Sequence, residues 1–291
     1  MNKNLYIYFF ALLLFGSNGI WASYIELKSY ETIFFRTFLG VIFLAFIYLI
    51  SRNKNRFWKY KKDMILTSVS GIAMGLNWLL LFESYKYVGV SIATLCCYCG
   101  PILVIIVSAG IFKTQITKNN IIGILIVMSG LMMISFTGNI SGNPLGIVLG
   151  LASAIMYAMM ILTSRHIKFL NGTEHAMVQL FASFILLSII VFVKDGISIS
   201  ILREDVLPIL ALGVINTGMA CYLFMFAIRK LKVQTISTCG YLEPLAAVIF
   251  SAIFLQEVLK GIQIMGGILI ISGALIGEHN KNVIYNKKIK K

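Results

Sequence analysis

Two ionisable side chains stand where an apolar chain accommodates them least. Glu243 lies ten residues past Val233 in one apolar run, and Arg36 lies four past Thr32 in another. A carboxylate at the centre of a bilayer costs on the order of 2.5–3.5 kcal/mol on insertion scales. Glu243 is therefore protonated, paired or in contact with water. Arg229, Lys230 and Lys232 share its run but sit about three turns away, out of reach. Three roles stay open for it: a neutral acid donating a hydrogen bond to another helix, a carrier of protons or cations, or a passive part of a cavity wall. Arg36 either reaches back to the interface, with Glu31 or Glu26 as partner, or turns inward. An inward guanidinium would hold a carboxylate or phosphate through two parallel hydrogen bonds.

Tyr98 and Tyr241 each precede a proline, Pro101 or Pro244, by three residues, so phenol and proline share a helix face. A proline deep in a span frees the carbonyl four residues earlier, here Cys97 or Gly240. Inside a membrane such a group must be satisfied by protein, water or ligand. The two prolines are either packed kinks or hinges beside a cavity. Asn18, Trp21, Asn77, Trp78, Tyr157, Gln179 and Tyr222 add amides and aromatic surface at span depth, with Asn216 nearby. Any one of them could simply bond helix to helix. Together they fit the walls of a site for an organic solute better than one for a bare ion.

Other chemistries lack their residues. All five cysteines, Cys96, Cys97, Cys99, Cys221 and Cys239, fall in apolar runs, which is neither a disulfide framework nor a metal site. His166, His175 and His279 fall at membrane edges or in the tail. The sequence has no HExxH and no GxxxxGK[ST], so neither a metalloprotease nor direct use of ATP is expected. No cofactor and no metal are expected.

The elements that position these residues follow from composition. Of 291 residues, 59% are hydrophobic and 12% charged, and the mean hydropathy is +0.89. Soluble domains are about 25% charged, so a water-facing surface cannot be built. Apolar runs give ten spans: Leu5–Ile25, Thr32–Ile50, Met64–Phe82, Val88–Phe112, Asn120–Phe136, Leu145–Ser164, Ala176–Val193, Val206–Ile228, Val233–Leu255 and Ile262–Ile276. Lys3 and the run behind it resemble a signal peptide, but that segment has a counterpart later in the chain and reads as a span. Ten spans of about 20 residues leave only short loops and no room for a soluble catalytic domain. With the amino terminus inside, 19 Lys and Arg face the cytoplasm and five face outward. The positive-inside rule then places both termini in the cytoplasm. The net charge of +14 belongs with anionic lipid at the Arg52–Lys62 loop and the tail, not with nucleic acid. Glu83 and Lys86 are spaced for an interfacial ion pair, and Glu31 and Glu174 for helix starts.

The chain repeats itself. At an offset of 143, without a gap, Val90, Cys96, Tyr98, Pro101, Ser108, Gly123, Ser129 and Gly130 meet the same residue types as Val233, Cys239, Tyr241, Pro244, Ser251, Gly266, Ser272 and Gly273. Gly75 pairs with Gly218 and Glu31 with Glu174. Each half holds five spans, an odd number, so the second half enters the membrane from the opposite side. Inverted repeats of this kind mark secondary transporters that bind near the midplane between the halves.

These residues resemble those of the ten-span drug/metabolite transporters built from two EamA-type repeats. The likeness is carried by Phe15-Gly16-Ser17-Asn18, Arg36, Ser91-Ile92-Ala93-Thr94-Leu95, Gly100-Pro101, Leu242-Glu243-Pro244, Glu257, Gly266 and Ser272-Gly273. Thr114 departs from it, standing where the family often has a glutamate like Glu257. The expected protein is all-α, with ten transmembrane helices as two inverted five-helix repeats, residues 1–138 and 139–278, then a basic tail, 279–291. The expected activity is secondary transport of a small organic metabolite, amino-acid-like or amphipathic. Movement would be outward across the cytoplasmic membrane by alternating access, with protons open as the coupling ion. The other reading is a flippase for a lipid-linked sugar or headgroup. An enzyme is not expected.

Overall fold

The computed structural model describes residues 3–50, 59–112, 116–135, 143–195, 202–254, 256 and 261–278. The basic stretch 52–58, Thr114, Glu257 and the tail 279–291 lie outside the described residues, and the readings made for them stay expectations.

Among the described residues every regular element is helical. α1 (Lys3–Gly16) and α2 (Asn18–Ala22) form one crossing interrupted at Ser17, whose hydroxyl donates back to the Leu14 carbonyl at 2.8 Å. α3 (Ser29–Ile50) starts three residues before the expected span. The cause is polar: the Glu31 carboxylate accepts the Lys28 amide at 2.9 Å and closes the first turn. Arg36 thus lies seven residues into α3, about 10 Å along its axis. α8 (Gly172–Asp195) begins in the same way, with Glu174 accepting the Asn171 amide at 3.0 Å. α7 (Pro144–His166) starts on proline, capped by the Asn143 side chain.

α4 (Lys61–Cys97) keeps helical hydrogen bonding through the expected turn between the third and fourth spans. It is not a straight rod. Ser84 and Ala93 both lie against Gly150 of α7, so the chain folds back between them. α5 (Gly100–Phe112) and α6 (Lys118–Ser135) complete the first half. The second contains α9 (Val206–Leu210), a π-helical segment Ala211–Met219, α10 (Ala220–Ile228), α11 (Val233–Cys239), α12 (Leu242–Phe254) and α13 (Gly261–Glu278).

Eight helical stretches among the described residues are long and apolar enough to cross a membrane. Two further apolar helices, Lys118–Met133 and Gly261–Gly277, are shorter. The polarity runs inside out: Leu49 is 80% and Val193 75% exposed, while Glu174 and Asn216 are fully buried. Lipid accepts such a surface and water does not.

Contacts between the halves are reciprocal under the offset of 143. α6 and α13 touch backbone to backbone. A methyl on Gly123 would lie 2.6 Å from the Gly273 carbonyl, and one on Gly130 2.5 Å from that of Gly266. Gly123 maps to Gly266 and Gly130 to Gly273, so the contact maps onto itself in reverse, as a two-fold relation requires. Likewise Gly75 packs on Leu186 and Ser183, while its counterpart Gly218 packs on Phe43 and Gly40. Those partners are themselves counterparts.

Candidate functional site

Two crossings break at matching places. Tyr98 and Cys99 separate α4 from α5, and Gly240 and Tyr241 separate α11 from α12. Pro101 is the second residue of α5 and Pro244 the third of α12. Each proline therefore opens the first turn of a new helix, where a missing amide costs nothing. The expected kink is a full interruption. Two carbonyls at the breaks are filled from within: the Tyr241 hydroxyl donates to the Tyr98 carbonyl at 3.0 Å, and the Glu243 amide donates to the Gly240 carbonyl at 3.1 Å. The Tyr98 and Tyr241 rings sit 6.1 Å apart. As repeat counterparts in mutual contact, they lie on the two-fold.

Arg36 faces inward. It is 4% exposed, its Nε donates to the Thr217 hydroxyl at 2.9 Å, and its guanidinium lies 4.4 Å over the Trp78 ring. Among the described residues no carboxylate reaches it at ion-pair distance. Glu31 is occupied by the Lys28 amide, and Nη2 of Arg36 is buried without a partner. Thr217 is brought there by the π segment: its hydroxyl donates to the Leu212 carbonyl, five residues back, at 2.8 Å. The wider turn rotates Thr217 out of α-helical register, a feature that recurs at functional positions.

Glu243 stands at the start of α12 and is half-buried. Its carboxyl lies within hydrogen-bonding reach of the Tyr98 side chain. Arg36, Tyr85, Tyr157 and Cys221 lie within its electrostatic range. Tyr157 packs flush on the opposite break, where a methyl on Gly100 would meet its ring at 2.8 Å. Arg36 on α3 and Glu243 on α12 thus lie within electrostatic range of each other, with the Trp78 ring on the guanidinium and Tyr98 and Tyr157 near the carboxyl.

The remaining expected residues divide. Asn18 accepts the Asn216 amide at 3.1 Å, which ties α2 to the π segment; Trp21 follows on α2, which packs against α12. Asn77 donates to the Ser153 carbonyl at 2.9 Å, and Gln179 donates to the Ser70 hydroxyl at 2.9 Å. Ser70 continues to Ser164 and Ser164 to His175, a buried ladder away from Arg36. Tyr222 packs beside Phe226 in the apolar core. Glu83 and Lys86 form the expected surface pair at 2.7 Å. Thr217, Cys221 and Tyr85 were not singled out from sequence; a hydroxyl, a thiol and a phenol within apolar runs carry no periodic signal. Outside the spans, burial lowers the Arg229 guanidinium from its ordinary pKa, with Asp63 and Glu174 acting the other way.

A bundle of apolar helices with broken crossings meeting around an enclosed polar region defines a multi-pass membrane transporter of small solutes. The chain belongs to the EamA-like transporter family, which matches residues 3–136 and 144–276, one copy in each half. It is 26% identical over 268 residues to the uncharacterized transporter YxxF of Bacillus subtilis, covering 90% of this chain and 85% of that one. It is 28% identical over 210 residues to the threonine/homoserine exporter RhtA of Salmonella typhimurium, covering 70% and 68%. A solved crystal structure shares the fold with a TM-score of 0.82 at 18% identity, over 95% of this chain and 98% of the other.

Proposed function

We propose that the protein is a ten-span secondary carrier of two inverted repeats, residues 1–138 and 139–278, with both termini in the cytoplasm. It exports amino-acid-like or amphipathic metabolites across the cytoplasmic membrane by alternating access. The observation that carries the substrate reading is the Arg36 guanidinium, stacked on Trp78 and oriented by Thr217, with a buried Nη2 that no acceptor among the described residues fills. An unmade hydrogen bond at a buried charge is costly, and a substrate carboxylate removes that cost. The aromatic rings around Glu243 offer their faces to an ammonium group, and Glu243 is the group that loads and releases a proton. The likeness to RhtA supports this class of solute.

The test is counterflow in proteoliposomes of the purified protein without nucleotide, with labelled threonine and homoserine first and a wider amino-acid panel after. Exchange of at least one zwitterion, saturable and lost in Arg36→Gln, is the expected result. Movement of a labelled lipid between leaflets with no solute exchange would replace the carrier by a flippase.

A further inference from the structure

The two ends of the bundle carry the same parts in different states. At one end Asp63 accepts the amides of Lys168 and Phe169, both on Oδ2, at 3.0 and 2.6 Å. Arg229 donates to the carbonyls of Leu170 and Lys168 in the same loop, the latter at 3.3 Å. α4, the loop between α7 and α8, and the end of α10 are thereby tied together. At the other end Asp205 accepts the Glu26 amide at 3.1 Å, and its second oxygen is buried without a partner among the described residues. Lys86 turns to Glu83 at 2.7 Å, and the Ile25 amide turns to the Ala22 carbonyl at 3.2 Å.

The offset of 143 relates these parts one by one. Glu26 corresponds to Phe169, Leu27 to Leu170, Ile25 to Lys168 and Lys86 to Arg229. Asp205 lies one residue before the counterpart of Asp63, at the start of the same crossing. One end thus has two amides and two carbonyls engaged. The other has one amide engaged, an orphaned carboxylate oxygen, and a cation held aside by a neighbouring glutamate.

We infer that these are two copies of one gate latch, with the Asp63 copy shut and the Asp205 copy released in this conformation. The inference rests on the alternating-access reading. Rocking one half against the other closes one face as it opens the other, so the latches compete. When the Asp205 face closes, the Ile25 amide moves from Ala22 to the Asp205 carboxylate beside the Glu26 amide, as the Lys168 and Phe169 amides share Asp63. Lys86 leaves Glu83 for the carbonyls of Leu27 and Ile25. Asp63 and Arg229 then release the loop at Lys168–Leu170. The orphaned oxygen, costly while unpaired, biases the released copy toward re-forming and keeps the two states close in free energy. Asp63 and Arg229 are gating residues, and so are Asp205 and Lys86; none touches the Arg36 region.

The experiment is residue-resolved amide exchange on the full-length protein in lipid nanodiscs, comparing wild type, Asp63→Asn and the double variant Glu83→Gln with Lys86→Arg. Asp63→Asn loosens the shut latch. The double variant frees the position of Lys86 and gives it the guanidinium of its counterpart. In both, exchange at Lys168 and Phe169 should speed up about tenfold while exchange at Ile25 and Glu26 slows about tenfold, a ratio worth about 1.4 kcal/mol. The informative change is the one at the distant face. If each variant alters only its own face, the latch is wrong. Because the double variant strengthens a contact, a folding failure of Asp63→Asn leaves the inference open to refutation. Threonine counterflow by the wild type, run in parallel, judges the carrier reading on its own: exchange without reciprocal protection sinks the latch and spares the carrier.

Discussion

The positions where the two repeats agree and those where they differ do different work. Tyr98 and Tyr241, Pro101 and Pro244, Gly75 and Gly218, and Glu31 and Glu174 are matched pairs. Each sits in a contact or cap that the other half reproduces. The Arg36 region is built from mismatches. Arg36 stands opposite Gln179, Trp78 opposite Cys221, Thr217 opposite Met74, Tyr157 opposite Leu14 and Glu243 opposite Gly100. Arg36 and Gln179 share a place on equivalent helices, yet one meets an aromatic ring and an open valence while the other closes a serine ladder. Gly100 leaves the room that Tyr157 fills, whereas its counterpart brings a carboxylate. In the proposed carrier the symmetric frame supplies two equivalent conformations, and asymmetric side chains supply the chemistry.

The comparison breaks most completely at the frame. Gly130→Leu drives a branched side chain into the Gly266 carbonyl, which backbone cannot yield. A loss of about 3 kcal/mol or more of stability is expected, visible as failure to recover monodisperse protein in detergent. Next comes the mismatched pair. Arg36→Gln makes the first repeat like the second and should weaken solute binding about 100-fold, within the range for charged hydrogen bonds, read by isothermal titration or counterflow. Arg36→Lys should recover only part of this, because an ammonium lacks the planar fork. Gln179→Leu, the same place in the other repeat, should lower thermal stability and leave solute affinity unchanged. Smallest is the effect of replacing Pro101 and Pro244 together by alanine. Each proline sits in the first turn of its helix, where no backbone bond is lost, so stability should hardly move, while turnover slows several-fold if the breaks act as hinges.

Much of the frame was legible because a repeat constrains it. The prolines marked the broken crossings, and the ungapped offset aligned Tyr98 with Tyr241 before any contact was known. The nature of the break was not legible. A proline inside an apolar run reads as a kink, and only the positions of Tyr98 and Gly240 show that each run is two helices. Arg36 was visible as a charge in an apolar run, but its partner was not, because a nine-residue π segment has no signature in a sequence of good helix formers. Gln179 and Asn77 read as candidate site residues because amides are costly in lipid. That cost is equally well met by Ser70 and by the Ser153 carbonyl. Asp63 and Asp205 carry no signal in the sequence, because a carboxylate at a helix start reads as a cap, and the amides it holds belong to loops more than 100 residues away in sequence in both cases.

The central claim is that one unmatched acid, Glu243, gives a symmetric frame its driving force. The measurement that tests it most directly is solute accumulation in proteoliposomes under an imposed pH gradient, comparing wild type with Glu243→Gln. Glutamine keeps the size of the side chain and its hydrogen bonding to Tyr98 but cannot carry a proton. Gradient-driven accumulation should disappear in the variant while solute counterflow at equal pH continues. Accumulation that persists in Glu243→Gln would contradict the account and leave Glu243 as a hydrogen-bonding partner of Tyr98 alone.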